Sequence, residues 1–211
     1  MSKPVCLVTA PVATRSGYGA HSRDIVRALV KLDKYDIKIY NVRWGNCSMN
    51  ALNEDDPNDK LIIDRMLKQP QLDKQPELHI HIVIPNEFQQ FGKYNIGITA
   101  GLEKTACPPE WIQGMNKMDM NIVPSHFVKD VMNSVSFNVN NKETNQPAGQ
   151  IKVEKPLEVL FEGVDTNIFK KTDKFSKDFV DEMKSVKESF NFLYVGHWLQ
   201  GGLGNDRKDT G

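Results

Sequence analysis

Long hydrophobic runs are missing from this chain. Nowhere do the roughly 18 consecutive apolar residues needed to span a bilayer as a helix occur. The opening Met1-Ser2-Lys3-Pro4-Val5-Cys6-Leu7 has no cationic head before an apolar signal core. The chain therefore reads as soluble and cytoplasmic. An excess of charge is also absent, since 27 Lys and Arg are set against 27 Asp and Glu. That balance argues against general capture of nucleic acid or of an anionic membrane by a one-sided field. Cysteine is scarce. Cys6, Cys47 and Cys107 are odd in number, widely spaced and free of any C-x-x-C or Cys/His metal spacing, so free thiols in a reducing compartment are expected.

With 211 residues, 39% of them hydrophobic and 26% charged, the chain is long and apolar enough to bury a core. It fits one large domain, or one domain with part of another. Short apolar runs rich in β-formers alternate with helical patterns, the signature of repeated βαβ units around a parallel sheet. The expected strands are 4–10, 37–42, 78–84, 95–100, 120–123, 157–161 and 192–196. Most are nearly continuous in apolar residues, as strands covered on both faces are. Helices are expected over 19–32, through Ile25, Val26, Leu29 and Leu32, and over 55–68, with Pro57 in its first turn. Two more start at Pro108-Pro109 and at Ser125, and the last carries Phe175, Phe179, Met183 and Val186. The polar, Asn-rich stretch 133–156 reads as a long surface loop.

Five segments carry groups able to do chemistry. Ser16-Gly17-Tyr18-Gly19-Ala20-His21-Ser22 lies between the first strand and the first helix. Its glycines would let a ligand approach the backbone, and the helix N-terminus offers free N–H groups to an anion; a tight turn with a helix cap is the plainer reading. As a dinucleotide fingerprint it is poor, because Ser22 occupies the third glycine position and Arg43 follows the second strand where an acid is expected. A nicotinamide-dependent oxidoreductase is correspondingly disfavoured. In Leu78-His79-Ile80-His81-Ile82, the two histidines share one side of a strand, yet no third metal ligand is placed beside them. Asn86 and Glu87 fall just past that strand, where open α/β sheets form ligand crevices, so Glu87 is either a general base, a hydroxyl-binding group or an ordinary loop carboxylate.

Thr99-Ala100-Gly101-Leu102-Glu103 brings a glycine and a carboxylate to the same edge. Glu103 would accept from two neighbouring hydroxyls of a sugar or polyol, or else cap a helix or pair with Lys104. Ser125 and His126 stand at a strand end and helix start; no nucleophile elbow surrounds them, and an N-cap serine is the simplest role. Near the C-terminus, Gly201-Gly202-Leu203-Gly204 leads to Arg207 and Lys208, a fork and a point charge that would neutralise a diphosphate or form part of a solvated tail.

In order and position these segments resemble the GT-B glycosyltransferases, especially the large retaining group called family 4. Residues 16–23 resemble that group's first Gly-rich loop and helix. Val123-Pro124-Ser125-His126-Phe127 is similar to its PS-x-F segment, Glu162-Gly163-Val164-Asp165 through Phe169 to its NGVD-x-x-x-F crossing, and Phe192 to Gly196 with Arg207 and Lys208 to the opening of its donor domain. Glu162 stands where the family commonly has Asn, and Asn205 and Asp206 lengthen the approach to the basic pair.

The resemblance implies a doubly wound, mostly parallel Rossmann-like sheet over residues 1–170 as the acceptor-side half of a GT-B enzyme. Residues 171–211 would supply a linker helix and the truncated start of a nucleotide-sugar-binding domain. It further implies transfer of a sugar, with retention, from a nucleoside-diphosphate sugar to an acceptor hydroxyl, with no cofactor and with cations and helix-end dipoles in place of a metal. Gly17, Tyr18, Gly19, Arg207 and Lys208 would lie at the donor phosphates, and Asn86, Glu87, Glu103, Ser125 and His126 along the acceptor side. His81, Glu87 and Glu103 are the catalytic candidates. Lacking most of the donor domain, the chain alone is expected to be inactive. The competing expectation is a non-catalytic α/β module that binds a carbohydrate or nucleotide.

Overall fold

A computed structural model of the chain describes residues 3–69, 71–102, 104–140 and 146–193. The elements run β1 (Val5–Ala10), α1 (Gly17–Leu32), β2 (Asp36–Asn41), α2 (Pro57–Ile63), β3 (Leu78–Ile82), a 3-10 turn (Pro85–Glu87), β4 (Tyr94–Ile98) and α3 (Pro109–Lys117). They continue with β5 (Met120–Val123), α4 (His126–Ser134), β6 (Phe137–Asn140), β7 (Pro147–Ile151), β8 (Leu157–Val159) and α5 (Lys177–Lys184). Six strands form one parallel sheet in the order β2-β1-β3-β4-β5-β8, giving an α/β, Rossmann-like fold. Among the described residues no helix is long and apolar enough to cross a membrane.

Alternation along the strands divides the sheet into two chemically different faces. Cys6, Val8 and Ala10 of β1, Ile37 and Ile39 of β2, and Ile80 and Ile82 of β3 share one apolar core with Val26 of α1 and Ile62 of α2. On the other face, Leu7 and Thr9 lie in register with His79 and His81, and these with Asn95 and Gly97 of β4. Gly97 pairs in turn with Asn121 of β5. Thr9, His79, His81, Asn95 and Asn121 are all buried. This half-polar face is covered by Phe88, by Ile112 and Met115 of α3, and by Val128 and Met132 of α4.

Close backbone approach fixes two glycines on the second face. A Cβ on Gly97 would fall 2.4 Å from the Phe88 ring, and one on Gly114 would fall 1.8 Å from the Pro85 carbonyl oxygen. The latter lets α3 rest on the turn that follows β3.

Three local expectations are corrected. The second helix ends at Ile63, well before residue 68, because the chain leaves it to extend the sheet: Ile39 N–H donates to the Arg65 carbonyl at 2.9 Å and Leu67 N–H to the Ile39 carbonyl at 2.8 Å. The stretch 133–156 is no loop throughout, since β6 and β7 form an antiparallel hairpin within it. Phe137, Ile151 and Val153 anchor that hairpin against the second core. The first helix begins at Gly17, two residues earlier than expected, where the Ser16 hydroxyl caps it by accepting from Gly19 N–H at 3.0 Å.

The chain divides into two compact units, Met1–Gly163 and Val164–Gly211. In the second, Ser176 caps α5 and Phe175 stacks on Phe179 at 5.4 Å. Residues 194–196 of the expected final strand lie outside the described residues, while Phe192 and Leu193 are exposed. The three cysteines are free.

Replacing Gly114 with Ala should cost about 1–3 kcal/mol, because rigid backbone, not a flexible side chain, meets the new methyl. Gly163→Ala, with open space around the added atom, should leave stability unchanged; urea unfolding of the two variants checks the contrast.

Candidate functional site

Parallel strands bring their C-terminal ends to one edge. The sheet reverses direction there between β1, which leads through α1 to β2, and β3, which leads outward to β4. Such a switch point leaves a crevice between diverging connections, the usual place for a ligand in open α/β sheets.

The loop after β1 is held rigid by its own hydrogen bonds. Thr14 Oγ1 donates to the Pro11 carbonyl at 2.8 Å and lies 2.8 Å from Ser16 Oγ. Arg23, nearly two turns into α1, reaches back to donate to the carbonyls of Val12 and Thr14 at 2.8 and 3.0 Å. Gly19 is buried where these strands of chain meet; a Cβ there would lie 2.3 Å from the Thr14 carbonyl oxygen. Gly17 is exposed with nothing near its Cα side. The Gly17 and Tyr18 N–H groups, in the first turn, have no intrahelical acceptor and no partner among the described residues.

Tyr18 bridges the loop after β1 and the end of β4. Its ring stacks on Trp44 with centroids 4.0 Å apart, its hydroxyl lies 2.9 Å from Thr99 Oγ1, and it accepts from Ala100 N–H at 3.1 Å. Burial raises the phenol's pKa, and the negative charges of Glu162 and Glu87 raise it further. Tyr18 is thus a neutral hydrogen-bonding post at neutral pH. Beside it, His21 Nδ1 lies 3.7 Å from Glu162 Oε1.

Asn86 and Glu87 sit on the exposed 3-10 turn after β3, and their side chains have no partner among the described residues. Ser125 caps α4 by accepting from Val128 N–H at 3.2 Å, and the His126 ring meets Phe161 edge-on at 5.5 Å. The edge therefore carries Gly17, Tyr18, Gly19, Asn86, Glu87, Ser125 and His126, with Tyr18 directly feeling Glu87.

His81 is placed elsewhere, inside the second sheet face. It is 5% exposed, with its ring between His79 and Phe88. Gln89 N–H donates to its Nδ1 at 3.1 Å, which puts its proton on Nε2. Burial lowers the His79 pKa to about 4; burial and then the neighbouring His79 lower that of His81 to about 3. His79 Nε2 pairs with Thr9 Oγ1 at 2.9 Å. Among the described residues no three His, Cys, Asp or Glu side chains are grouped to hold a metal. Glu103, Arg207 and Lys208 lie outside the described residues.

Trp44 was not among the residues singled out from sequence, although an aromatic residue immediately beyond the second strand, in Arg43-Trp44-Gly45, was a usable signal. Comparison of the chain with family models, with curated proteins and with solved structures finds no match.

Two outcomes are expected. Tyr18→Phe removes both polar partners of the post and should lower stability by about 1–2 kcal/mol, with a change in tryptophan emission from the stacked Trp44. Separately, the two buried histidines are neutral in the fold but take up protons near pH 6.5 when unfolded. Their contribution is complete above that pH and is lost as the pH falls through about 6 to 4, with a slope approaching about 2–3 kcal/mol per pH unit. Urea unfolding at pH 7.5 and pH 5.0 measures it; equal midpoints would show that the rings titrate normally.

Proposed function

We propose that the chain is the acceptor-side half of a GT-B glycosyltransferase, which moves a sugar from a nucleoside-diphosphate sugar to an acceptor hydroxyl. The observation that carries this reading is the composition of the sheet's C-terminal edge at the switch point, where the free N–H groups of Gly17 and Tyr18 share the edge with Asn86, Glu87 and Thr99, and Glu162 is close enough to act on Tyr18. Anion donors beside carboxylates and amides suit a substrate that has a phosphate end and a hydroxyl-rich end. In this reading the donor half opens within 171–211, and Arg207 and Lys208 are its basic pair.

The mechanism follows from those groups. The first turn of α1 presents two N–H donors and the positive end of its dipole to the diphosphate, stabilising the charge that builds on the leaving phosphate. Arg23 keeps that loop from moving as the charge develops. Glu87, exposed and unpaired, is the carboxylate placed to accept from an acceptor hydroxyl, and Asn86 beside it offers both a donor and an acceptor. The Tyr18–Trp44 stack forms an apolar wall against which a sugar ring packs while water is excluded.

The backbone suggests a clean test. Ser16 has φ −142° and ψ 165°, the extended geometry that a following proline requires, and Gly17 is the first helical residue, where proline is well tolerated. Gly17→Pro removes one N–H donor and little else. It should leave the melting temperature nearly unchanged while weakening binding of a nucleoside-diphosphate hexose about tenfold, the worth of one hydrogen bond to a charged group. Assays across a panel of nucleoside-diphosphate hexoses with polyol acceptors, in a chain that includes both halves, should show release of nucleoside diphosphate. Binding without any transfer would favour the non-catalytic module, and no binding at all would remove both readings.

A further inference from the structure

A cavity lies on the half-polar face of the sheet, away from the switch point. Its origin is topological. The link from β2 to β3 must pass over β1, because β1 sits between them. In a doubly wound sheet a helix normally makes such a passage and seals the strand beneath. Here α2 is spent on the opposite face, with Ile62 in the core of α1, and the described residues of the crossing after Leu67, 68–69 and 71–77, form no helix or strand. Irregular chain cannot fill a sheet face as a helix does, and a space of about 420 Å³ is left over Leu7.

The walls are built, not accidental. Leu7 forms the floor, and Leu67, Leu72 and Phe91 line the sides. Leu67 is tied to β2 through its N–H bond to the Ile39 carbonyl. Phe91 is fixed twice: its N–H donates to Asn95 Oδ1 at 3.0 Å, and its ring packs on His79 with centroids 5.1 Å apart. Pro76, at the far end of the crossing, is buried, and its carbonyl accepts from Lys93 N–H at 2.9 Å.

Four polar side chains complete the lining. Lys74 is the one charged residue among them, and Tyr40, Gln75 and Gln89 are neutral donors and acceptors. None of these four side chains has a hydrogen bond or ion pair among the described residues. The space is of the size that holds a one- or two-ring organic molecule. Apolar walls with an aromatic side favour a flat hydrocarbon body, and an unpaired ammonium at the mouth favours a single negative charge on it.

We propose that this cavity binds a flat aromatic or alicyclic monoanion, such as an aryl carboxylate, at a site separate from the switch-point crevice. The ring system lies between Leu7 and Phe91 and the carboxylate meets Lys74.

The test uses the whole chain and 2-naphthoate, with neutral 2-naphthylmethanol as its uncharged counterpart, followed by amide proton and nitrogen shifts. Naphthoate should move the amides of Leu7, Tyr40, Leu72, Lys74, Gln89 and Phe91 and leave those of Gly17 and Tyr18 in place. It should bind about fivefold tighter than the alcohol, a difference set by one partly solvated ion pair. Lys74→Gln should erase that difference, and Leu72→Trp, which fills the space from the loop side, should block both compounds. If millimolar naphthoate leaves the cavity amides unmoved in the folded wild-type chain, or moves only the exposed apolar residues of 164–193, the site is overturned. Equal affinity of acid and alcohol would overturn the assigned charge.

Discussion

The structure depends on satisfying a row of polar groups buried in the middle of a parallel sheet. Thr9, His79, His81, Asn95 and Asn121 all project from one face, and each must find partners where water is excluded. Thr9 and His79 pair with each other, the other three take partners from the chain that covers them, and His79 Nδ1 and Asn121 Oδ1 are left without one among the described residues. Asn95 is the hub. Its side-chain oxygen accepts from the Phe91 and Gly92 N–H groups, while its amide donates to the Gly92 carbonyl and to Asp119. His81 holds Gln89 in the same way, and Asn121 holds the end of α3 by donating to the Met115 carbonyl at 3.0 Å. The route from β3 through the 3-10 turn to β4 is therefore dictated from below, by what the sheet face needs.

That dictation reaches the crevice. Asn86 and Glu87 stand on the turn between the Ile82 end of β3 and the pinned segment at Gln89, so their exposure follows from constraints on both sides. Gly114 lets α3 pack against the same turn. Across the crevice, the loop after β1 is stiffened by a different device, the Arg23 guanidinium turned back on loop carbonyls. Tyr18 then ties this second rigid body to the end of β4.

Much of this architecture was legible in the sequence, for a physical reason. Strands sheathed on both sides are short and nearly continuously apolar, and the first six expected strands coincide with observed ones to within a few residues. The two histidines of β3 do share a side, as alternation requires. What one residue's neighbours cannot reveal is what lies across from it. Nothing near His81 in sequence says that Gln89 will fold over it and enclose it. The hairpin of β6 and β7 was hidden because its few apolar anchors, such as Phe137 and Ile151, alternate with asparagine and glutamine, so that the segment reads as polar on average. The second helix was extended too far because the residues that leave it, Met66 and Leu67, continue its apolar spacing while joining the edge of the sheet. At the candidate site, the glycine loop and the turn after β3 could be placed by their position after strands, whereas the Tyr18–Trp44 stack and the His21–Glu162 pair are products of tertiary approach.

All six strands of the main sheet run the same way, and α1, α3 and α4 each follow one of them, so these helices start at a common edge. Each contributes about half a positive charge there and its opposite at the far end. A chain whose ionised side chains cancel in number thus keeps a polarised backbone in its first unit. Its side-chain charges sum to zero in number, while the helix starts still present partial positive charge along one edge. An approaching anion would feel little pull at long range and a turning moment at short range, so that ionic strength would govern how it is oriented more than how often it arrives.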